Sequence, residues 1–268
     1  MPITSTTVPI NSDCIGDRWE VNDEDYLAQL VGMVAKCEFG HAQSILNGIT
    51  PIPATYPPDV EAAIKQEVIT ALTLGKGADG KEIKNTAKVH RDGFLFEAIS
   101  WIVARNNSSS DVLMRDPHIN ATTQGLDGLM IELNPAHDDV VKTTVMEDKC
   151  VEDPQYTFRY KTLPALQYYH ANHRKVLESA GAMLRNAFPP ETINSMAAKA
   201  IQLSIRNYRA SLTIENLSDN QAGRNDIFDY YNRLTGLLQQ NRIGCTFLTS
   251  DDVREWFEEF TKKVIAQL

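Results

Sequence analysis

Two short apolar runs near the middle of the chain do most to limit what it can fold into. Leu126-Asp127-Gly128-Leu129-Met130-Ile131-Glu132-Leu133 reads as a strand with an acid at its start. Some fifteen residues on, Val140, Val141, Val145 and Met146 mark a second run that ends in Glu147-Asp148-Lys149. Side chains alternate along a strand, so Glu147 and Lys149 point one way and Asp148 the other. If the two strands pair as a hairpin, Asp127 meets Glu147 with the Lys149 ammonium beside them. Two carboxylates and a lysine at the end of a sheet are groups suited to a hard divalent cation and an activated water.

The pattern around these strands is α/β. Residues 1–22 read as a polar lead-in, and Asn22-Asp23-Glu24-Asp25 opens an amphipathic helix through Val34. A proline-rich joint (Pro51, Pro53, Pro57, Pro58) precedes a helix over 59–74, and 75–91 reads as a polar loop. The next helix runs from Asp92 to Val103, where Glu97 lies at helical spacing from Phe94 and Trp101, beside an aromatic face. Beyond the strand pair, helices are expected over 161–187, 192–211 and 226–239. A late strand follows at 243–248, then a final helix opened by Ser250-Asp251-Asp252.

An acid starting one strand, Glu-x-Lys closing the next and a glutamate on the preceding helix resemble the PD-(D/E)xK, or restriction-endonuclease-like, nuclease superfamily. The resemblance covers about residues 91–150. It implies a restriction-endonuclease-like core with a mixed central sheet flanked by helices over 91–268. Residues 1–90 would form an N-terminal helical extension, with extra helices at both ends of the chain. It also implies metal-dependent hydrolysis of phosphodiester bonds, in which Asp127, Glu147 and Glu97 hold Mg²⁺, or Mn²⁺ in its place, and Lys149 acts on the attacking water. One departure concerns the RecB-like subgroup, because neither Gln155 nor Gln167 begins its Gln-x-x-x-Tyr helix. By analogy of fold and size, the resemblance further implies prokaryotic anti-phage defence or restriction beside a helicase or sensor subunit.

The bulk properties fit a cytoplasmic protein. The chain has 268 residues, 43% of them apolar, and no apolar stretch long enough to span a bilayer. No secretory signal opens it, and Cys14, Cys37, Cys150 and Cys245 show neither metal-finger spacing nor a disulfide framework. The net charge of −9 argues mildly against a free-standing nucleic-acid binder. After the strand pair, however, the chain turns basic. Arg159, Lys161, Arg174 and Lys175 are the expected DNA-binding residues, with His170, His173, Arg185, Lys199, Arg206 and Arg209 nearby in sequence. The same residues could equally form the solvated face of two helices.

Two further motifs carry less. Gly75-Lys76-Gly77-Ala78-Asp79-Gly80-Lys81 approaches a phosphate-binding loop, but Glu82 stands where a hydroxyl must reach magnesium. His170-Ala171-Asn172-His173 lacks the glutamate of a zinc signature. The competing reading from another class is a non-catalytic nuclease-like assembly module, which would be favoured by loss of an acid or of the lysine.

Overall fold

The expected strand pair lies inside a seven-stranded mixed sheet in the computed structural model, which describes residues 1–50, 56–73, 85–118 and 125–268. In chain order the strands are β1 (Ile3–Val8), β2 (Ile15–Val21), β3 (Val112–Met114), β4 (Gly128–Leu133), β5 (Val140–Lys149), β6 (Arg206–Ile214) and β7 (Arg242–Leu248). Across the sheet their order is β1-β2-β7-β6-β5-β4-β3. The middle strands β2, β7, β6 and β5 run parallel, while β1 at one edge and β4 and β3 at the other pair antiparallel.

Helices cover both faces and give two separate apolar cores. One face carries α1 (Glu24–Ala35), α2 (Phe39–Leu46), α3 (Pro58–Leu72), α4 (Asn85–Asn106) and the last helix, α10 (Val253–Ala266). The other carries α5 (Pro154–Thr157), which runs through a π turn at Phe158–Thr162 into α6 (Leu163–Ala171), then α7 (His173–Ala187), α8 (Pro190–Ala200) and α9 (Gln221–Ile227). Asp23 and Asp252 cap α1 and α10, each accepting a backbone N–H three residues on. Among the described residues no helix is long and apolar enough to cross a membrane.

Several expectations are corrected. Residues 1–22 are no lead-in: β1 and β2 form a hairpin, and β2 extends the sheet by pairing with β7. The expected boundary between 90 and 91 falls inside α4, which begins at Asn85 rather than after a loop ending at Arg91. The helix expected over 161–187 breaks at Asn172. That expected over 226–239 gives way to one 3₁₀ turn at Tyr231–Arg233 after a left-handed Tyr230 (φ 69°). Pro51, Pro53 and the glycine-rich segment 75–82 lie outside the described residues.

The largest correction is β6. A helix was expected through Ser211, but α8 stops at Ala200 and 206–214 is a central strand with all nine residues buried. Tyr208, Ala210, Leu212 and Ile214 face the α5–α9 core, so the polar Arg209, Ser211 and Thr213 between them face the other layer. There the Arg209 guanidinium lies 3.5 Å from Asp148, bonds the Ser100 hydroxyl of α4 and stacks 5.3 Å over Trp19 of β2. Asp148 therefore faces α4, away from Glu147 and Lys149, as the alternation requires. A buried ion pair that loses one partner leaves an uncompensated charge. Asp148→Ala should cost about 3–5 kcal/mol in urea denaturation, and adding Arg209→Met should recover part of that loss.

Candidate active site

Pairing between β4 and β5 sets Gly128 opposite Met146, which brings Asp127 level with Glu147. The Lys149 ammonium lies between the two acids, 2.6 Å from Asp127 Oδ2 and 2.8 Å from Glu147 Oε1. The Asp148 backbone N–H also donates to Asp127 Oδ2, at 2.9 Å, and so holds that carboxylate against the strand end. Glu147 is buried, and its second oxygen, Oε2, has no hydrogen-bond partner among the described residues.

Glu97 reaches the same place from α4. Its Oε1 accepts from the backbone N–H of His118 at 2.8 Å and lies 3.0 Å from that residue's Nδ1. Glu97, His118 and Asp127 each offer a ligand atom within 4.8 Å of the others. Arg115 stands behind them, donating to the Leu126 carbonyl and to His118 Nε2, both at 2.9 Å. From the opposite layer the Tyr169 hydroxyl donates to the Gly125 carbonyl at 2.8 Å.

The electrostatics of this cluster are those of too many acids in too little water. Burial, reinforced by the Asp127 charge, raises Glu97 above the ordinary carboxylate range despite its bonds to His118. The same two causes push Glu147 up to about 8 even with Lys149 beside it. Burial opposes the Lys149 charge, but Asp127 and Glu147 outweigh it and hold the ammonium above its usual range. Tyr169, pushed up to about 12 by burial and by Glu147, stays a neutral donor.

The structure thus brings Asp127, Glu147 and Lys149 together and sets Glu97 beside Asp127, with His118 rather than Glu147 completing the group within ligand distance. The basic residues fare unevenly. Lys175, exposed and 3.9 Å from Glu178, shares a cavity of about 260 Å³ with Arg115, Gly125 and Leu126, the last of which precedes Asp127. Arg174 and Lys161 are exposed. Arg159 lies 3.5 Å from Asp229 and 4.8 Å over the Tyr230 ring, so much of its charge is already engaged. Arg206 and Arg209 are buried in the sheet and unavailable to a ligand. His173 and His170 do not pair across a metal; they bond Arg206 and Tyr208 instead. Sequence reasoning missed Arg115, His118 and Tyr169, because no spacing links them to the strands that they serve.

Metal-free protein should carry a pH signature of this crowding. Glu147 binds its proton more tightly folded than unfolded, so its contribution to stability is full below about pH 4.5 and is lost as pH rises toward 8. Denaturation midpoints in chelator should fall across that window, and Glu147→Gln should flatten the fall.

No protein-family model and no curated protein matches the chain.

Proposed function

We propose that the protein is a metal-dependent nuclease that hydrolyses phosphodiester bonds in nucleic acid, with DNA the expected substrate. The observation that carries this reading is that Asp127 links two acids: Glu97 of α4 comes within ligand distance of it, and it shares the single Lys149 ammonium with Glu147. The α4 helix, β4 and β5 carry them in the order in which PD-(D/E)xK nucleases carry theirs.

The residues fit a divalent cation. Asp127 and Glu147 share one ammonium, Glu147 Oε2 is buried without a partner among the described residues, and burial raises both Glu97 and Glu147. Asp127 and Glu97 would hold the ion, with Glu147 completing the acid set. Bound there, Mg²⁺ or Mn²⁺ supplies Lewis acidity toward a phosphoryl oxygen and lowers the pKa of a water.

The chain's own groups do the rest. The Lys149 ammonium, fixed by two acids and about a third exposed, can orient the attacking water and stabilise charge developing on the phosphoryl oxygens. Asp148, on the far face, braces the backbone between the two reactive side chains through Arg209. Lys175, beside Arg115 in the neighbouring cavity, is placed to receive a flanking phosphate, and the exposed Arg174 precedes it on α7. The net charge of −9 fits a subunit whose nucleic-acid affinity comes partly from another protein, a helicase or sensor in prokaryotic anti-phage defence.

The test is incubation of the protein with supercoiled and linear DNA in Mg²⁺, Mn²⁺ or EDTA. Wild type should cut only with metal, and Lys149→Ala should cut at least ~100-fold more slowly with its fold intact. Uncut DNA under every condition, with Lys149→Ala destabilised by about 3–5 kcal/mol, would instead mark a structural ion pair in a non-catalytic module. Neutralising Arg174 and Lys175 together should weaken DNA binding and make the salt slope shallower by up to about 2. Filter binding between 50 and about 200 mM salt reads this directly.

A further inference from the structure

His118 lies within ligand reach of Glu97 and Asp127, yet both of its ring nitrogens are already in use. Nδ1 lies 3.0 Å from Glu97 Oε1, and Nε2 lies 2.9 Å from an Arg115 guanidinium nitrogen. An ionised carboxylate only accepts and a guanidinium only donates. The Nε2 lone pair is therefore aimed at Arg115, and the Nδ1 side of the ring is aimed at the Glu97 carboxylate. An ion would need that same lone pair at about 2.0–2.1 Å. The guanidinium fills the approach and adds a positive charge to it.

The contacts continue on both sides of the ring. The His118 backbone N–H also donates to Glu97 Oε1, so one glutamate oxygen receives two donors from one residue. Arg115, which pairs with no carboxylate among the described residues, spends another N–H on the carbonyl of Leu126, the residue before Asp127. Glu97 on α4 is tied in this way to the backbone that presents Asp127.

We infer that Arg115 and His118 are positioning residues that set Glu97 against Asp127 and leave a bound cation an all-oxygen protein donor set, with the imidazole outside it. The inference rests on the metal-site reading above and adds its selectivity. Oxygen donors alone favour Mg²⁺ and Mn²⁺, whereas an imidazole in the set would favour Zn²⁺. Arg115 is then a selectivity residue that touches no metal: remove its guanidinium, and the Nε2 lone pair becomes free to ligate.

The experiment uses the full chain loaded with Mn²⁺, read by pulsed electron paramagnetic resonance for a directly bound ¹⁴N, with Mg²⁺ and Zn²⁺ affinities from calorimetry. Wild type should bind Mn²⁺ with no nitrogen coupling, and His118→Ala should weaken Mg²⁺ about 10–100-fold while leaving that spectrum free of nitrogen. In Arg115→Met a nitrogen coupling should appear, and the preference for Zn²⁺ over Mg²⁺ should rise at least ~10-fold, with both changes reversed by adding His118→Ala. A nitrogen coupling in wild type that His118→Ala removes would overturn the inference and leave the metal site standing; that comparison needs no Arg115 variant to fold. Folded Arg115→Met with neither change would overturn it as well. Wild type that binds no Mn²⁺, and no differently from Asp127→Asn, would overturn the metal reading and this inference together.

Discussion

Strand β5 has to satisfy two opposed environments with three consecutive charged residues, and much of the structure follows from how it does so. Glu147 and Lys149 face the layer of α5–α9, while Asp148 faces the layer that contains α4. Each side carries buried charge, which costs several kcal/mol per ion unless it is paired. On one side Arg209 answers Asp148. On the other, Lys149 answers two acids at once. The first pairing is self-contained. The second sets two carboxylates against one ammonium, and burial together with Asp127 raises Glu147 in response.

The two sides are mechanically joined. Arg209 of β6 touches Ser100, three residues along α4 from Glu97, so the helix that delivers one acid is pinned by the strand that pairs with the one delivering another. From the front, His118 and Arg115 tie Glu97 to the start of β4. Glu97 is thus held from both ends of its reach, which suits a group that must meet Asp127 with sub-ångström tolerance.

Where the sequence carried a period or a cap, it was readable. The β4 and β5 strands, α1 and α10 with their aspartate caps, and β7 all stand close to where pattern and capping put them. So does the meeting of Asp127, Glu147 and Lys149, because alternation along one strand and a hairpin register are local rules. What was not readable depends on distant partners. Strand β6 does alternate, with Tyr208, Ala210, Leu212 and Ile214 on one face, but Arg206, Asn207 and Arg209 give it the composition of a solvated helix. Asp148, Ser100 and Trp19, each some sixty residues or more away, explain a buried Arg209. The β1–β2 hairpin is short and polar on its outer strand, and its place is set by β7 at the other end of the chain. His118 and Arg115 act through tertiary contacts that leave no spacing to detect.

The position of β6 between β5 and β7 has a consequence for how the protein comes into being. The acids and the lysine are all synthesised by residue 149, but the strand that neutralises Asp148 and clamps Ser100 arrives only after four intervening helices. Until Arg209 emerges, β5 carries an unanswered aspartate near its C-terminal end and an open parallel edge, so its register has no reason to persist. Parallel pairing across such a separation is slow and is rewarded late. A partly made chain would hold Glu97, Asp127, Glu147 and Lys149 and still lack the alignment among them until the fold around them is nearly complete.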